Sequence, residues 1–131
     1  MFIDSNIFLY AIGDKDLNKQ KIAQNIIASD NASISVQVIN EVCVNALRKL
    51  NFSESDLQQL IESCYSRYVI LDLNLTIFKL ASNLRTQYNF SYFDSIIVAA
   101  AMHGGCETLY TEDMQDGLVI MERLKIVNPF K

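Results

Sequence analysis

Residues 96–102 read Ile-Ile-Val-Ala-Ala-Ala-Met. In a helix opened by Ser91 they form a surface that is apolar nearly all round, and such a helix must be covered on most sides. A membrane is not the cover, because no apolar run approaches the roughly 20 residues that a spanning helix needs. The segment therefore calls for a packed interior. A chain of 131 residues, half of them hydrophobic and a fifth charged, suits one globular domain over residues 1–131.

The covering layers can be read on either side. Short apolar runs at residues 1–4, 32–35, 69–71, 106–110 and 124–127 read as strands. Between them lie helical patterns: a turn at 6–12, a stripe over 17–28, and an amphipathic run carrying Val38, Ile39, Val42, Ala46 and Leu50. Ser53 opens a further helix through Cys64, and Asn74 or Thr76 opens one through Leu84. Strands that alternate with helices predict an α/β three-layer sandwich, with a mainly parallel sheet of 4–5 short strands and helices on both faces. Neither repeats nor a linker interrupt it.

Three cysteines, Cys43, Cys64 and Cys106, stand far apart without a CxxC pair. They read as reduced, buried thiols, and zinc is not indicated. The single histidine, His103, falls at the end of a helix, where its charge is favoured. A histidine-based triad is thereby disfavoured. No basic-then-apolar leader opens the chain, so a cytoplasmic location is expected.

The net charge of −4 argues against nucleic-acid binding unless the acids are gathered at one site. Their positions suggest that they are. In parallel sheets, ligands bind outside the carboxyl ends of the strands. Asp4 ends the first strand, and Thr111-Glu112-Asp113 follows the fourth. Asp94 lies in the first turn of the Ser91 helix, and Glu41 lies early in the Val38 helix. Each acid has a simpler account: Ser91 and Asp94 fit a capping box, and Glu41 could pair with Arg48. Asp4 is the exception, because it sits between Ile3 and Ile7 and a buried acid needs a partner.

Two like charges about 4 Å apart cost about 4 kcal/mol at an effective dielectric near 20. A cluster of four makes sense only around a divalent cation. Oxygen ligands without His or Cys favour Mg²⁺ or Mn²⁺. Such an ion would activate water and neutralise a phosphodiester.

The stretches FIDSN at 2–6, VINEV at 38–42, SYFDSIIVAAA at 91–101 and LYTEDMQDG at 109–117 resemble the PIN-domain family. More narrowly, the chain resembles the VapC-type toxins of toxin–antitoxin pairs. The resemblance runs over nearly the whole chain, in order and with compatible gaps. It implies an endoribonuclease that uses Mg²⁺ or Mn²⁺ and leaves a 5′-phosphate and a 3′-hydroxyl. It implies Asp4, Glu41, Asp94 and Asp113 as the catalytic and metal-holding acids, with Asn6, Thr111 and Asp116 as supporting groups. Asn6 would orient Asp4 by hydrogen bonding. RNA is the implied substrate and a cognate antitoxin the implied partner, placing a basic side chain in the acidic site. Homodimers are common in the family, and residues 53–68 and 74–88 would supply the surface.

Two other readings compete. A catalytically weak module of the same fold would act by binding an antitoxin or RNA. A phospho-accepting receiver domain also places acids at strand ends, but here Asp72 is a weak acceptor and no Lys follows Tyr110.

Overall fold

The computed structural model describes residues 1–131. At its centre is β1 (Phe2–Ile3), only two residues long yet paired on both sides. Phe2 lies opposite Ser33 of β2 (Ser33–Ser35) and Leu109 of β4 (Thr108–Tyr110), and Phe2 and Ile3 are fully buried. A strand covered on both faces carries no polar alternation, which is why two apolar residues suffice to mark it.

From β1 the chain builds outward in two directions. Helices α1 (Ser5–Ile12) and α2 (Leu17–Ile27) lead to β2, and α3 (Val36–Lys49) and α4 (Glu54–Arg67) lead to the edge strand β3 (Val69–Leu71). Then α5 (Leu75–Gln87) and α6 (Tyr92–His103) return the chain to β4, on the other side of β1. The strand order is β3-β2-β1-β4-β6-β5. All pairs are parallel except β5 (Val119–Ile120) with β6 (Leu124–Val127). The strand order thus reverses between β1 and β4, the place where open α/β sheets form a crevice.

The sheet has six strands where the sequence predicts four or five; the addition is β5. Its turn to β6 gives no sequence cue. Met121 and Glu122 both adopt positive φ, 51° and 57°, in a position where Asn-Gly is the expected pair.

The apolar stretch of α6 meets its expectation. Every residue from Ser95 to Met102 is buried, and the helix packs against α5 and β2. Ala99, Ala100 and Ala101 have no exposed surface, so small side chains let the neighbouring elements approach closely. On the other side, α1 packs on α2 and α3, and α3 on α4. The three cysteines are free thiols: Cys64 is buried, and Cys43 and Cys106 are half-buried. No helix is long and apolar enough to cross a membrane.

Candidate functional site

Asp4 is the residue at which β1 stops and α1 starts. Its backbone N–H donates to Tyr110 O at 3.0 Å, continuing the sheet ladder by one residue. Its side chain then caps α1, accepting from Ser5 N at 2.7 Å. The second carboxylate oxygen accepts from Thr111 Oγ1 at 2.8 Å. Asp4 is only 4 % exposed. Burial is the chief reason that its pKa stands at about 6, with the Thr111 and Ser5 hydrogen bonds opposing the rise. The charges of Glu41 and Asp113 add to it.

Thr111, fully buried just beyond β4, is the hub of the site. Its hydroxyl donates to Asp4 and accepts from Asp113 N at 3.2 Å and Asn6 Nδ2 at 3.3 Å. Asn6 also donates to Asp113 Oδ2 at 2.9 Å and accepts from Glu112 N at 3.2 Å. The expectation that Asn6 hydrogen-bonds Asp4 therefore needs correcting. Thr111 orients Asp4, while Asn6 holds the 111–113 loop, because the first turn of α1 points its amide across the gap to β4.

Glu41 is held from two sides. Ser5 Oγ donates to its Oε2 at 2.7 Å, and Gln37 Nε2 donates to its Oε1 at 3.0 Å. Arg48 is not its partner, and Asn45 bonds only its carbonyl oxygen, at 2.8 Å. Asp94 sits half-buried in the first turn of α6. Its N–H donates to Ser91 Oγ at 3.1 Å. The return bond that completes a capping box is formed by Asp56 at Ser53 but is absent at Asp94, so this carboxylate meets Ser91 only through the hydroxyl. Burial raises its pKa against the opposing Ser91 hydroxyl, and the charges of Asp113 and Glu41 push the same way as burial. Asp4 and Asp94 thus feel the same two acids, which places all four in one electrostatic neighbourhood.

Asp116 accepts from Asn128 N at 2.8 Å and ties down the segment just beyond β6, whose Val127 O accepts from Thr111 N at 3.0 Å. Asp72 is exposed just past the edge strand β3, two strands away from Asp4. A receiver-like arrangement of acids is therefore not formed.

Two residues that the sequence does not mark, Ser5 and Gln37, complete the site, and Glu112 of the Thr111-Glu112-Asp113 turn anchors it. Glu112 accepts from Lys19 Nζ at 2.6 Å and Tyr10 OH at 2.7 Å. Burial opposes its ionisation, but these two partners outweigh burial and hold its carboxyl below the ordinary range. The pair braces the 111–113 loop against α1 and α2. Beside it runs a cleft whose lining includes Asn6, Tyr10, Asp14, Lys15, Asn45 and Lys49.

The donor set is oxygen only, which suits Mg²⁺ or Mn²⁺ and not zinc. No three acidic, histidine or cysteine side chains stand close enough to grip an ion as arranged. Mg²⁺ fits such a set nonetheless, since it takes one or two carboxylates directly and keeps several waters.

Comparison with known proteins agrees with this fold. A toxin–antitoxin complex from Klebsiella pneumoniae superposes with a TM-score of 0.74 at 22% identity, over 98% of this chain and 96% of that one. VapBC2 from Rickettsia felis, bound to a promoter DNA fragment, gives 0.67 at 19% identity, over 95% of each chain. Mycobacterium tuberculosis VapC20, a sarcin–ricin loop cleaving toxin, gives 0.66 at 13% identity, over 86% of this chain and 90% of that one. These likenesses show a shared fold. A comparison with curated proteins found no match. The family model of the PIN domain matches residues 1–115, and with that span the chain belongs to the PIN domain family.

Proposed function

We propose that this protein is a metal-dependent endoribonuclease and the toxin of a toxin–antitoxin pair. The observation that carries the reading is the buried Asp4 at the β1/β4 switch point, within charge reach of Glu41 and Asp113. The RNA-cleaving and antitoxin-bound proteins of the same fold support it. Asp4, Asp94, Asp113 and Glu41 would hold Mg²⁺ or Mn²⁺. The ion, when bound, lowers the pKa of water and neutralises charge on the phosphoryl oxygens.

The chain's own residues do the rest. Thr111 and the Ser5 N–H aim Asp4, and Asn6 aims Asp113. Glu41 or Asp94 takes the proton from the attacking water. Lys15 and Lys49, exposed along the adjoining cleft, give an acidic protein a local contact for the RNA backbone. A cognate antitoxin would insert a basic side chain among the acids. A homodimer would use Tyr65, Leu75 and Phe78, which are exposed on α4 and α5.

The open spacing of the carboxylates favours one second reading, a module of this fold that binds RNA or an antitoxin without cutting. Incubation of the purified chain with end-labelled RNA separates the two. Cleavage is expected in Mg²⁺ or Mn²⁺, is lost in EDTA, returns when metal is restored, and yields 5′-phosphate ends. Undiminished cleavage in EDTA would contradict metal dependence. Intact RNA with every divalent ion would leave the binding module.

A further inference from the structure

Folding does not account for two large side chains next to Asp94. Tyr92 is 54% exposed and Phe93 65% exposed, in the first turn of α6. Their rings meet edge to face with centroids 5.5 Å apart. Arg85 of α5 lies over the Tyr92 ring, its guanidinium 4.5 Å from the ring centre. Arg85 Nη1 donates to the buried Ser95 Oγ at 2.7 Å, and no carboxylate pairs with it. In a chain of net charge −4, an arginine left without an acid is available for an external anion.

The aromatic pair is also tied to the acidic site. Gln37, 8% exposed, donates from Nε2 both to Glu41 Oε1 at 3.0 Å and to Phe93 O at 3.3 Å. Flipping this amide would set its oxygen against two acceptors, so the orientation is determined. Its Oε1 is buried without a protein partner. One buried glutamine thus sets how far the Phe93 backbone stands from Glu41.

An exposed aromatic step, an unpaired guanidinium and a fixed spacing from the reactive centre are the parts of a nucleotide subsite. We propose that Phe93 and Tyr92 stack an unpaired base of the RNA, and that Arg85 holds the phosphate next to the one that is cut. This rests on the nuclease reading above and narrows its substrate class. The RNA must present a base free of the helical stack, in a single strand or a loop. Stacking on aromatic faces tolerates any base, so the subsite selects unpaired structure over sequence.

The test uses fluorescence anisotropy in Mg²⁺, with the full chain carrying Asp4→Asn so that RNA is bound but not cut. The probe is a labelled mixed-sequence single strand of about 12 nucleotides, a length within the usual site sizes. Phe93→Ala should weaken binding by about 5- to 100-fold. Phe93→Trp should retain affinity, and Phe93→Leu should not restore it. Arg85→Gln should reduce the slope of log affinity against log salt by about one. Unchanged affinity in Phe93→Ala overturns the subsite while leaving the nuclease reading intact. Full rescue by Phe93→Leu overturns it as well, since apolar contact would then suffice. If lost affinity coincides with dissociation of a dimer in sedimentation, the pair is a self-interface and the subsite is again overturned. Failure of the Asp4→Asn background to bind any RNA would instead count against the nuclease reading itself.

Discussion

Asp4→Asn is expected to lower RNA cleavage by about 10²- to 10³-fold, the usual cost of removing one well-placed charge-handling group from a reactive centre. The substitution keeps the shape of the side chain and an oxygen that can accept from Ser5 N, so the cap of α1 survives. What it removes is the negative charge. In the metal-free protein this charge is a liability. The folded pKa of about 6 lies above the ordinary aspartate value of 3.8. A carboxyl raised in this way lowers stability as pH climbs through that interval. The loss is complete above the folded pKa and amounts to about 3 kcal/mol at most. Glu41 and Asp113 face Asp4 and deepen it, while Thr111 and Ser5 relieve it. The parent without metal should therefore melt at a lower temperature at pH 7.5 than at pH 4.5, apart from the contributions of other groups, and Asp4→Asn should flatten that difference. A variant that is slow to cut RNA yet more stable at neutral pH without metal is the signature of a functional acid. Parental cleavage rates in Asp4→Asn would remove Asp4 from the mechanism.

The second large effect is expected at Thr111, which contacts no substrate in this account. Thr111→Val keeps the shape and deletes the hydroxyl. Asp4 Oδ2 then loses its donor, and Asp113 N and Asn6 Nδ2 lose an acceptor. A buried polar group left unpartnered costs about 1–3 kcal/mol, and a charged one costs more. A urea melt at neutral pH should show a loss of about 2–4 kcal/mol, moderated by the water that reaches Asn6 and Asp113. Cleavage should fall by about 10- to 100-fold, as it does when groups that orient metal-holding residues are removed. The Thr111 hydroxyl lowers the Asp4 pKa, so its loss should move the acidic limb of the pH–rate profile to higher pH. Thr111→Ser retains the hydroxyl and should stay near the parent. A purely structural threonine would change the melt and leave the pH limb where it was.

The residues differ in how openly they announce these roles. Ile96 to Met102 declared a buried helix because no face of it is polar. Asp4 declared itself because a carboxylate between two core segments has no other excuse. Asp94 was ambiguous, since Ser91 and Asp94 have capping-box spacing. The ambiguity ends only with the missing return bond, a matter of side-chain rotamer that spacing does not encode. Ser5 and Gln37 carried no mark. Ser5 meets Glu41 across 36 positions of chain, and Gln37 reads as one more polar residue on an amphipathic helix. Asn6 hydrogen-bonds Thr111 and Asp113 and not Asp4, because the register between β1 and β4 decides which side chain faces it. The edge strand β5 escaped because Met121-Glu122 makes a turn that its own residues disfavour.

The central claim is that side chains from four separate stretches act on one divalent ion. Crystals grown with Mn²⁺ and measured for anomalous scattering test it most directly. An anomalous peak in contact with the Asp4 carboxylate and bordered by Asp94 and Asp113 is the expected result. A map with no peak at Asp4 under saturating Mn²⁺, or with Mn²⁺ bound only at other carboxylates, would contradict it.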